Sequence, residues 1–257
     1  MRPVALTIAG SDPSGGAGIQ ADLKTFHQHG VYGEAVITLL TVQNTRGVTR
    51  VDVLKPKLII DQIRAVIGDI PPQAAKLGAL GNSRVVEAVA EIAEEFAFPL
   101  IVDPVMISKH GTPLMTAEAR EAVRKHLLAR AFLLTPNLHE AAALTGRAVD
   151  TVAEMRLAAE QLCEMGCKNV LVKGGHLAGK ATDVLLSEGV FHEFSSERIE
   201  TLHTHGTGCT YSAAITADLA KGSRLVDAVA GAKRYITRAI QTNPGFGAGW
   251  GPVNHFA

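Results

Sequence analysis

Short apolar segments alternate with amphipathic segments along most of this chain. Segments of the first kind have the length and unbroken hydrophobicity of buried strands, and they span residues 4–9, 35–42, 74–77, 98–102, 131–135 and 169–172. Segments of the second kind carry apolar residues at helical spacing, and they span residues 56–69, 83–97, 116–130 and 151–166. The alternation predicts right-handed βαβ units, and therefore an α/β fold with a mainly parallel sheet covered by helices on both faces.

Charge and composition argue against several classes of partner. Lys plus Arg and Asp plus Glu both total 25 among 257 residues, and neither sign forms a long run, so no nucleic-acid or anionic-membrane partner is indicated. No segment approaches the roughly 20 apolar residues of a membrane helix. We therefore expect one cytoplasmic domain over residues 1–257 that acts on a small molecule.

Cys163 and Cys167 lack the nearby ligands of a zinc site, and we expect them to be packing residues.

The segment HTHGTGCTYSAA, residues 203–214, places flexible residues directly before a cysteine and a predicted helix. Gly206 and Gly208 permit unusual backbone dihedrals and close ligand approach, and the helix start adds unpaired N–H groups with partial positive charge. The segment therefore predicts an anion site. A helix N-terminus and nearby cations also lower the pKa of a thiol, so we expect Cys209 to ionise readily.

A second glycine-rich segment follows the first predicted strand. Residues 16–21 fit the GxGxxA pattern of a dinucleotide site, but the turn before them is long and the second strand ends in TVQN, without the acidic residue that binds a ribose. No glycine cluster is followed by the GK[ST] of a P-loop. Four glycines within nine residues indicate a hinge or close ligand approach, although a plain connector stays open. Asp22, on the following helix, would face either a substrate or solvent.

Polar residues follow several predicted strands, where ligands bind in folds of this class. Asp103 ends one strand. Asn137 and Glu140 lie on one face of a helix start, where they form either a capping box or oxygen ligands of a hydrated Mg²⁺, and both roles can coexist. Lys173 precedes two glycines, and it is either a contact to phosphate or a surface lysine. A hairpin is predicted over residues 181–194, with Glu188 and Gly189 at its turn, in a position to cover a nucleotide.

Several segments together resemble the hydroxymethylpyrimidine phosphate kinases of thiamine synthesis, within the ribokinase-like family. These segments are AGSDPSGGAGIQADLKTF, TVQNT, VDPVM, TPNLHEA, VKGGH and THGTGCTYSAAITADLAKG. The most specific is GTGC, because most members of the wider family have aspartate where Cys209 stands. The resemblance implies a three-layer α/β/α fold, ATP and Mg²⁺ as cofactors, a homodimer, and successive phosphorylation of a hydroxymethyl group and of the resulting monophosphate.

The same resemblance implies roles for individual residues. The anion hole would be formed by Gly206, Thr207, Gly208 and Cys209, with Cys209 as general base. Contacts to the ATP phosphates would come from Lys173, Thr204, Gly206 and Gly208. The aminopyrimidine would be bound by Gln43, Asp22, Gly10 and Val105. The Mg²⁺ ion and its waters would be organised by Asp103, Asn137 and Glu140.

One departure from the family pattern bears on the substrate. Relatives often have methionine where this chain has Ala79, so the pocket wall is expected to be roomier and the selectivity lower. A pyridoxine or pyridoxal kinase, alone or as a dual activity, is the nearest alternative, because its acceptor is also a hydroxymethyl group on a flat nitrogen heterocycle. The amide of Gln43 favours the aminopyrimidine. A catalytically inactive binding module on the same scaffold and an NAD-dependent oxidoreductase are more distant alternatives.

Overall fold

A computed structural model describes residues 2–257 of the chain. Nine strands form one sheet in the order β3-β2-β1-β4-β5-β6-β7-β8-β9. Their bounds are β1 Val4–Ser11, β2 Tyr32–Asn44, β3 Gly47–Val53, β4 Ala74–Leu77, β5 Leu100–Val102, β6 Leu133–Leu134, β7 Val170–Val172, β8 Ala181–Ser187 and β9 Val190–Ser196. Six consecutive strands, from β2 through β7 in this order, run parallel, and β3, β8 and β9 are antiparallel to their neighbours. The predicted parallel sheet is thus confirmed.

Eight α-helices cover the sheet in the described part of the chain. They are α1 Gly18–Gln28, α2 Pro56–Asp69, α3 Ser83–Ile92, α4 Ala117–Ala122, α5 Leu138–Thr145, α6 Val152–Glu164, α7 Thr207–Ala220 and α8 Leu225–Gln241. Side chains of α2 to α6 form one hydrophobic core with one face of the sheet, and side chains of α1, α7 and α8 form another with the opposite face. The three-layer architecture is therefore confirmed.

Local sequence signals explain where the elements begin and end. Pro56 is at the first turn of α2, where its missing N–H costs no hydrogen bond. Capping boxes start α5 and α6, at Asn137 and Thr151 respectively. The predicted hairpin is present as β8 and β9, with Glu188 and Gly189 at φ +52° and +76°, the left-handed backbone of a two-residue type I′ turn.

The apolar runs in the sequence do not indicate strand β3, and they end β2 too early. The two strands form an antiparallel pair that extends β2 to Asn44. Both are partly exposed at this end: Thr49, Arg50 and Asp52 are exposed, and Val48 and Val51 are half-buried. The alternation of polar and apolar residues in RVDV, residues 50–53, is the strand signal that was available, and it is broken between Val48 and Arg50, where the pairing with β2 shifts register. The extension matters because it contains Gln43, which lies beyond Leu40, the last residue of β2 that pairs with β1.

Two cysteines belong to the core rather than to a site. Cys167 is buried among the side chains between α6 and the sheet, and Cys163 packs against the same core. Burial raises the pKa of Cys167 to about 12, so this thiol stays protonated at neutral pH. Their predicted packing role is confirmed.

None of the helices within residues 2–257 is both long enough and apolar enough to cross a lipid bilayer.

Candidate active site

A cavity of about 910 Å³ opens where the parallel strands end at their carboxyl termini. The lining includes Gln43 of β2 with Gly10, Leu39 and Ala79, and Lys233 of α8 with Ile236 and Ile240. Nζ of Lys233 lies 2.8 Å from Oδ2 of Asp183 in β8, and β2 and β8 lie toward opposite edges of the sheet, so the two groups lie at opposite ends of the cavity. The start of α7 lies in the lining between them. Among the residues singled out from the sequence, all but Asp22 line this cavity: Gly10, Gln43, Asp103, Val105, Asn137, Glu140, Lys173, Thr204, Gly206, Thr207, Gly208 and Cys209.

Two glycines lie at the start of α7, and only the first is required by the backbone. Gly206 has φ +77°, and a Cβ there would overlap the carbonyl oxygen of Gly16. Gly208 is the second helical residue, and a Cβ there would lie 3.4 Å from Nζ of Lys173 and 3.7 Å from Oδ2 of Asp103. The first glycine lets two loops touch. Gly208 has no side chain, so the N-terminus of α7 is open toward the ion pair of Lys173 and Asp103.

That ion pair is built from the ends of two strands. Nζ of Lys173 lies 2.8 Å from Oδ1 of Asp103, and the hydroxyl of Ser212 donates to Oδ2 of the same carboxylate at 3.2 Å. Burial opposes ionisation of Asp103, but the ammonium groups of Lys173 and Lys76 outweigh it and lower the pKa of this carboxyl. The reciprocal attraction raises the pKa of Lys173 against the effect of burial. Both groups are therefore charged at neutral pH.

Asn137 and Glu140 form the capping box of α5. Oδ1 of Asn137 accepts from the backbone N–H of Glu140 at 2.9 Å, and Oε2 of Glu140 accepts from the backbone N–H of Asn137 at 2.8 Å. The capping interpretation is confirmed. Burial raises the pKa of Glu140 to about 7, against the attraction of Lys173. A bound cation would favour the ionised carboxylate.

Asp22 does not reach the cavity. Its side chain has no exposed surface, and its two carboxylate oxygens accept hydrogen bonds from Thr7 at 2.6 Å and from Lys76 at 2.7 Å. The predicted direct contact between Asp22 and substrate is therefore corrected: Asp22 neutralises a buried lysine below the site. Lys76 also lies 3.4 Å from the carbonyl oxygen of Cys209. The pair thus lies directly beneath the first turn of α7.

The expected ionisation of Cys209 is also corrected. Burial raises the pKa of the thiol to about 11, and the nearby Lys76 ammonium offsets this only in part because Asp22 and Asp103 oppose it. The sequence showed a cysteine at a helix N-terminus but did not show the two carboxylates behind it. The thiol is protonated at neutral pH in this structure.

Asp12 and His205 are functional candidates that the sequence motifs did not single out. The Asp12 carboxylate accepts hydrogen bonds from the backbone N–H groups of Ser14, Gly16 and Ala17 at 2.8, 3.2 and 2.9 Å. It also accepts one of 2.8 Å from Nε2 of His205. Burial opposes ionisation of Asp12, but side-chain hydrogen bonds from His205 and Ser14 hold its pKa well below the usual range. The glycine-rich segment is therefore an organised loop around one carboxylate.

A sequence model of the family described as "Phosphomethylpyrimidine kinase" matches residues 12–254. The chain belongs to this kinase family. A "Hydroxymethylpyrimidine/phosphomethylpyrimidine kinase" of Haemophilus influenzae is 46% identical over 258 residues, which cover 98% of this chain and 96% of that protein. The predicted family and the prediction of a phosphotransferase are confirmed.

Another relative of this kinase family is longer than the chain. The "Thiamine biosynthesis bifunctional protein ThiED" of Geobacter sulfurreducens is 46% identical over 256 residues, which cover 99% of this chain. The chain spans 52% of the length of that protein.

Solved structures in this kinase family and among pyridoxal kinases share the fold. A phosphomethylpyrimidine kinase from Clostridium difficile 630 has a TM-score of 0.84 and 45% identity, covering 93% of this chain and all of that chain. The pyridoxal kinase of Staphylococcus aureus "in complex with AMP-PCP and pyridoxal" has a TM-score of 0.91 and 33% identity, covering 100% of this chain and 95% of that one. The phosphomethylpyrimidine kinase has the higher sequence identity to this chain, which favours a pyrimidine kinase over a pyridoxal kinase.

The loop after β5 lies across the mouth of the site. Nζ of Lys109 lies 4.7 Å from the centre of the Trp250 ring. Nε2 of His110 is 2.9 Å from the carbonyl oxygen of Thr45, in the turn between β2 and β3. The glycine-rich loop is fixed around Asp12, whereas the loop after β5 is held by the contacts of Lys109 and His110 with Trp250 and Thr45.

Proposed function

We propose that this kinase transfers the γ-phosphoryl group of ATP to 4-amino-5-hydroxymethyl-2-methylpyrimidine and then to the resulting monophosphate. The observation that carries the proposal is the start of α7, where Gly206 to Cys209 line the middle of one cavity beside Lys173. The N–H groups there have no partner within the helix, and the helix dipole favours anions. A phosphoryl group that moves between donor and acceptor would pass this point.

The acceptor ring binds at the end of the cavity that contains Gln43. Gln43 lines the cavity together with Asp12. Its side-chain amide offers an oxygen acceptor and N–H donors, which would pair with the amino group and ring nitrogen of an aminopyrimidine. Gly10 and Val105 would form the walls against which the flat ring packs.

The donor binds with its phosphates beside Lys173 and Thr204, and with its base toward Ile236 and Ile240. The S. aureus relative with AMP-PCP supports ATP as donor. Mg²⁺ keeps several waters and is held by a few carboxylates together with substrate phosphates. The site fits this mode, because the carboxylates of Asp103 and Glu140 line the same cavity as the start of α7 and Lys173. Asp103, Asn137 and Glu140 would hold Mg²⁺ and its waters, and the ion would neutralise phosphate charge during transfer.

Cys209 is proposed as the base in the first transfer only. As the acceptor oxygen bonds to the γ-phosphorus and the bond from that phosphorus to ADP breaks, the hydroxyl must lose its proton, and the thiolate of Cys209 would receive it. Because burial keeps the thiol protonated at pH 7, the active thiolate is scarce and the first transfer should accelerate as pH rises. In the second transfer the nucleophile is a phosphate oxygen whose last pKa is about 6, so no base is needed near pH 7.

A vitamin B6 alcohol is the second candidate acceptor. The S. aureus relative binds pyridoxal in a similar fold, and the small side chain of Ala79 lines the cavity. Parallel turnover assays with the pyrimidine alcohol and with pyridoxal would separate the two. We expect kcat/KM to favour the pyrimidine, because a pyridine ring with a phenolic oxygen does not match the amide of Gln43.

The chain is further proposed to act as one domain over residues 1–257, as a cytoplasmic homodimer. The outer face of β2 exposes Leu40 and Val42, two apolar side chains that a second copy would cover. Sedimentation of the wild type and of Val42→Glu would test this, with a monomeric variant as the expected result.

Mass analysis of products after incubation with Mg·ATP and the pyrimidine alcohol tests the proposed function. We expect a monophosphate early and a diphosphate late. Absence of both products, with ATP unconsumed, would contradict it.

A further inference from the structure

The loop between β7 and β8, residues 174–180, forms one wall of the cavity. Gly175 and His176 line the cavity directly, and Leu177 is buried beneath them. Apart from its contacts with Arg198, hydrogen bonds hold only the start of the loop: the backbone N–H of Gly174 donates to Oδ1 of Asp183 at 2.9 Å, and that of Leu177 donates to the carbonyl oxygen of Gly174 at 3.0 Å. A turn of this kind would be mobile unless another element held it.

Arg198 holds this loop from the chain that follows β9. Its Nη1 donates to the carbonyl oxygen of Gly175 at 3.0 Å and its Nε to that of Gly179 at 3.2 Å. Its Nη2 donates to the carbonyl oxygen of Leu177. Three carbonyls from five consecutive residues thus converge on one guanidinium. Only a planar side chain with a fork of donors can satisfy all three.

The guanidinium has no acidic partner among the ion pairs of the described residues. Exposed salt bridges elsewhere join side chains to side chains, as in the pair of Lys180 with Glu197 at 2.9 Å. Arg198 instead directs its donors to backbone carbonyls, and its own side chain also lines the cavity. Fixing the shape of the loop is therefore the function that the contacts indicate.

We propose that Arg198 is a positioning residue for the nucleotide donor, which it serves by clamping residues 174–180 against the donor end of the cavity. The inference rests on the proposed function. Lys173 precedes the loop and is fixed separately by Asp103 at 2.8 Å. Loss of the clamp therefore loosens the wall around the nucleotide without moving the lysine or the start of α7.

Different kinetic constants separate this role from a general structural one. An open loop must be ordered when ATP binds, and this ordering cost raises the KM for ATP. The acceptor binds at the other end, near Gln43, and its KM should not change. Once ATP is bound the loop is ordered again, and kcat should stay within about twofold.

The test compares Arg198→Ala, Arg198→Lys and the matched control Lys180→Ala, which removes an exposed ion pair at the same loop. We expect the KM for ATP to rise about tenfold in R198A, less in R198K, and to stay within twofold in K180A. Amide hydrogen exchange should accelerate at Leu177 in R198A, with no change in α7 or β1.

An unchanged KM for ATP in R198A would overturn the proposal. So would an equal rise in the KM of the acceptor, or a rise in the KM for ATP without faster exchange at Leu177. If the wild type phosphorylates no pyrimidine or B6 alcohol, the proposed function fails instead. In that case the dissociation constant of AMP-PCP, measured by calorimetry, replaces the KM for ATP. We expect this constant to rise about tenfold in R198A. An unchanged dissociation constant would overturn the proposed clamp.

Discussion

The carboxylate of Asp12 accepts a hydrogen bond of 2.8 Å from Nε2 of His205, a residue 193 positions further along the chain. Asp12 also holds the backbone of the glycine-rich loop, and His205 directly precedes Gly206 at the start of α7. One carboxylate therefore joins the loop beside the acceptor to the segment proposed to bind the phosphoryl group. We propose that this link sets the relative position of the two substrates.

Replacing Asp12 with asparagine should damage both transfers. A neutral amide at this position would accept fewer of the N–H bonds now made to the carboxylate, and hydrogen bonds to charged groups contribute about 1.5–3 kcal/mol each. We expect Asp12→Asn to lower kcat/KM about tenfold or more in each step and to lower Tm. The exposed Asp52→Asn serves as control. Wild-type kinetics in D12N would show that the link does not position the substrates.

Replacing Gly208 with alanine should lower the rate of transfer without unfolding the protein. The position is helical, but the new Cβ would lie 3.4 Å from Nζ of Lys173 and would narrow the space proposed for the phosphoryl group. We expect kcat of both steps to fall about 100-fold, the size of loss that a misplacement of about 1 Å between reacting groups can cause. Gly68→Ala, in an open helical position of α2, should keep the wild-type kcat. A wild-type kcat in G208A would place the transfer elsewhere.

Glu34 should make stability depend on pH. Burial and the charge of Asp69 raise the pKa of Glu34 to about 7, and its Oε2 has no hydrogen-bond partner among the described residues. Because the unfolded chain releases this proton at lower pH, the folded state is destabilised as pH rises from about 4.5 to 7, and the penalty is complete above 7.

Glu34→Gln should therefore raise Tm at pH 8 by about 3–6 °C, or ~1–2 kcal/mol, and the gain should shrink as pH falls toward 4. Thermal melts across this range measure it, with the exposed Glu87→Gln as control. A gain that is the same at pH 8 and pH 4 would rule out ionisation of Glu34 as the cause.

Much of the architecture could be predicted from periodicity, because strands buried on both faces and amphipathic helices leave different patterns. The strand predicted over residues 74–77 matches β4. The partly exposed β3 could not be found in the same way because it lacks a continuous apolar run. The π-helical turn Val123–Leu127 that continues α4 likewise has no local signal.

The candidate site could be predicted in part, because its residues follow strands whose carboxyl ends meet at one edge. Lys76 could not be assigned a role, since a lysine within a short apolar strand gives no sign of its partner. The pairing with Asp22 depends on contacts 54 residues apart. The prediction for the pKa of Cys209 was wrong for the same reason. The sequence shows that the thiol lies at a helix start, but its burial and the nearby carboxylates of Asp22 and Asp103 depend on tertiary contacts.

Single-turnover rates of the two transfers in wild type and Cys209→Ala, measured from pH 6 to 9, test the role of Cys209 most directly. In the wild type the first transfer should accelerate with pH and the second should be nearly flat above pH 7. In C209A the first transfer should fall about 100-fold or more and lose its pH dependence, while the second stays within about threefold. A first transfer at the wild-type rate in C209A would contradict the assignment of Cys209 as the base.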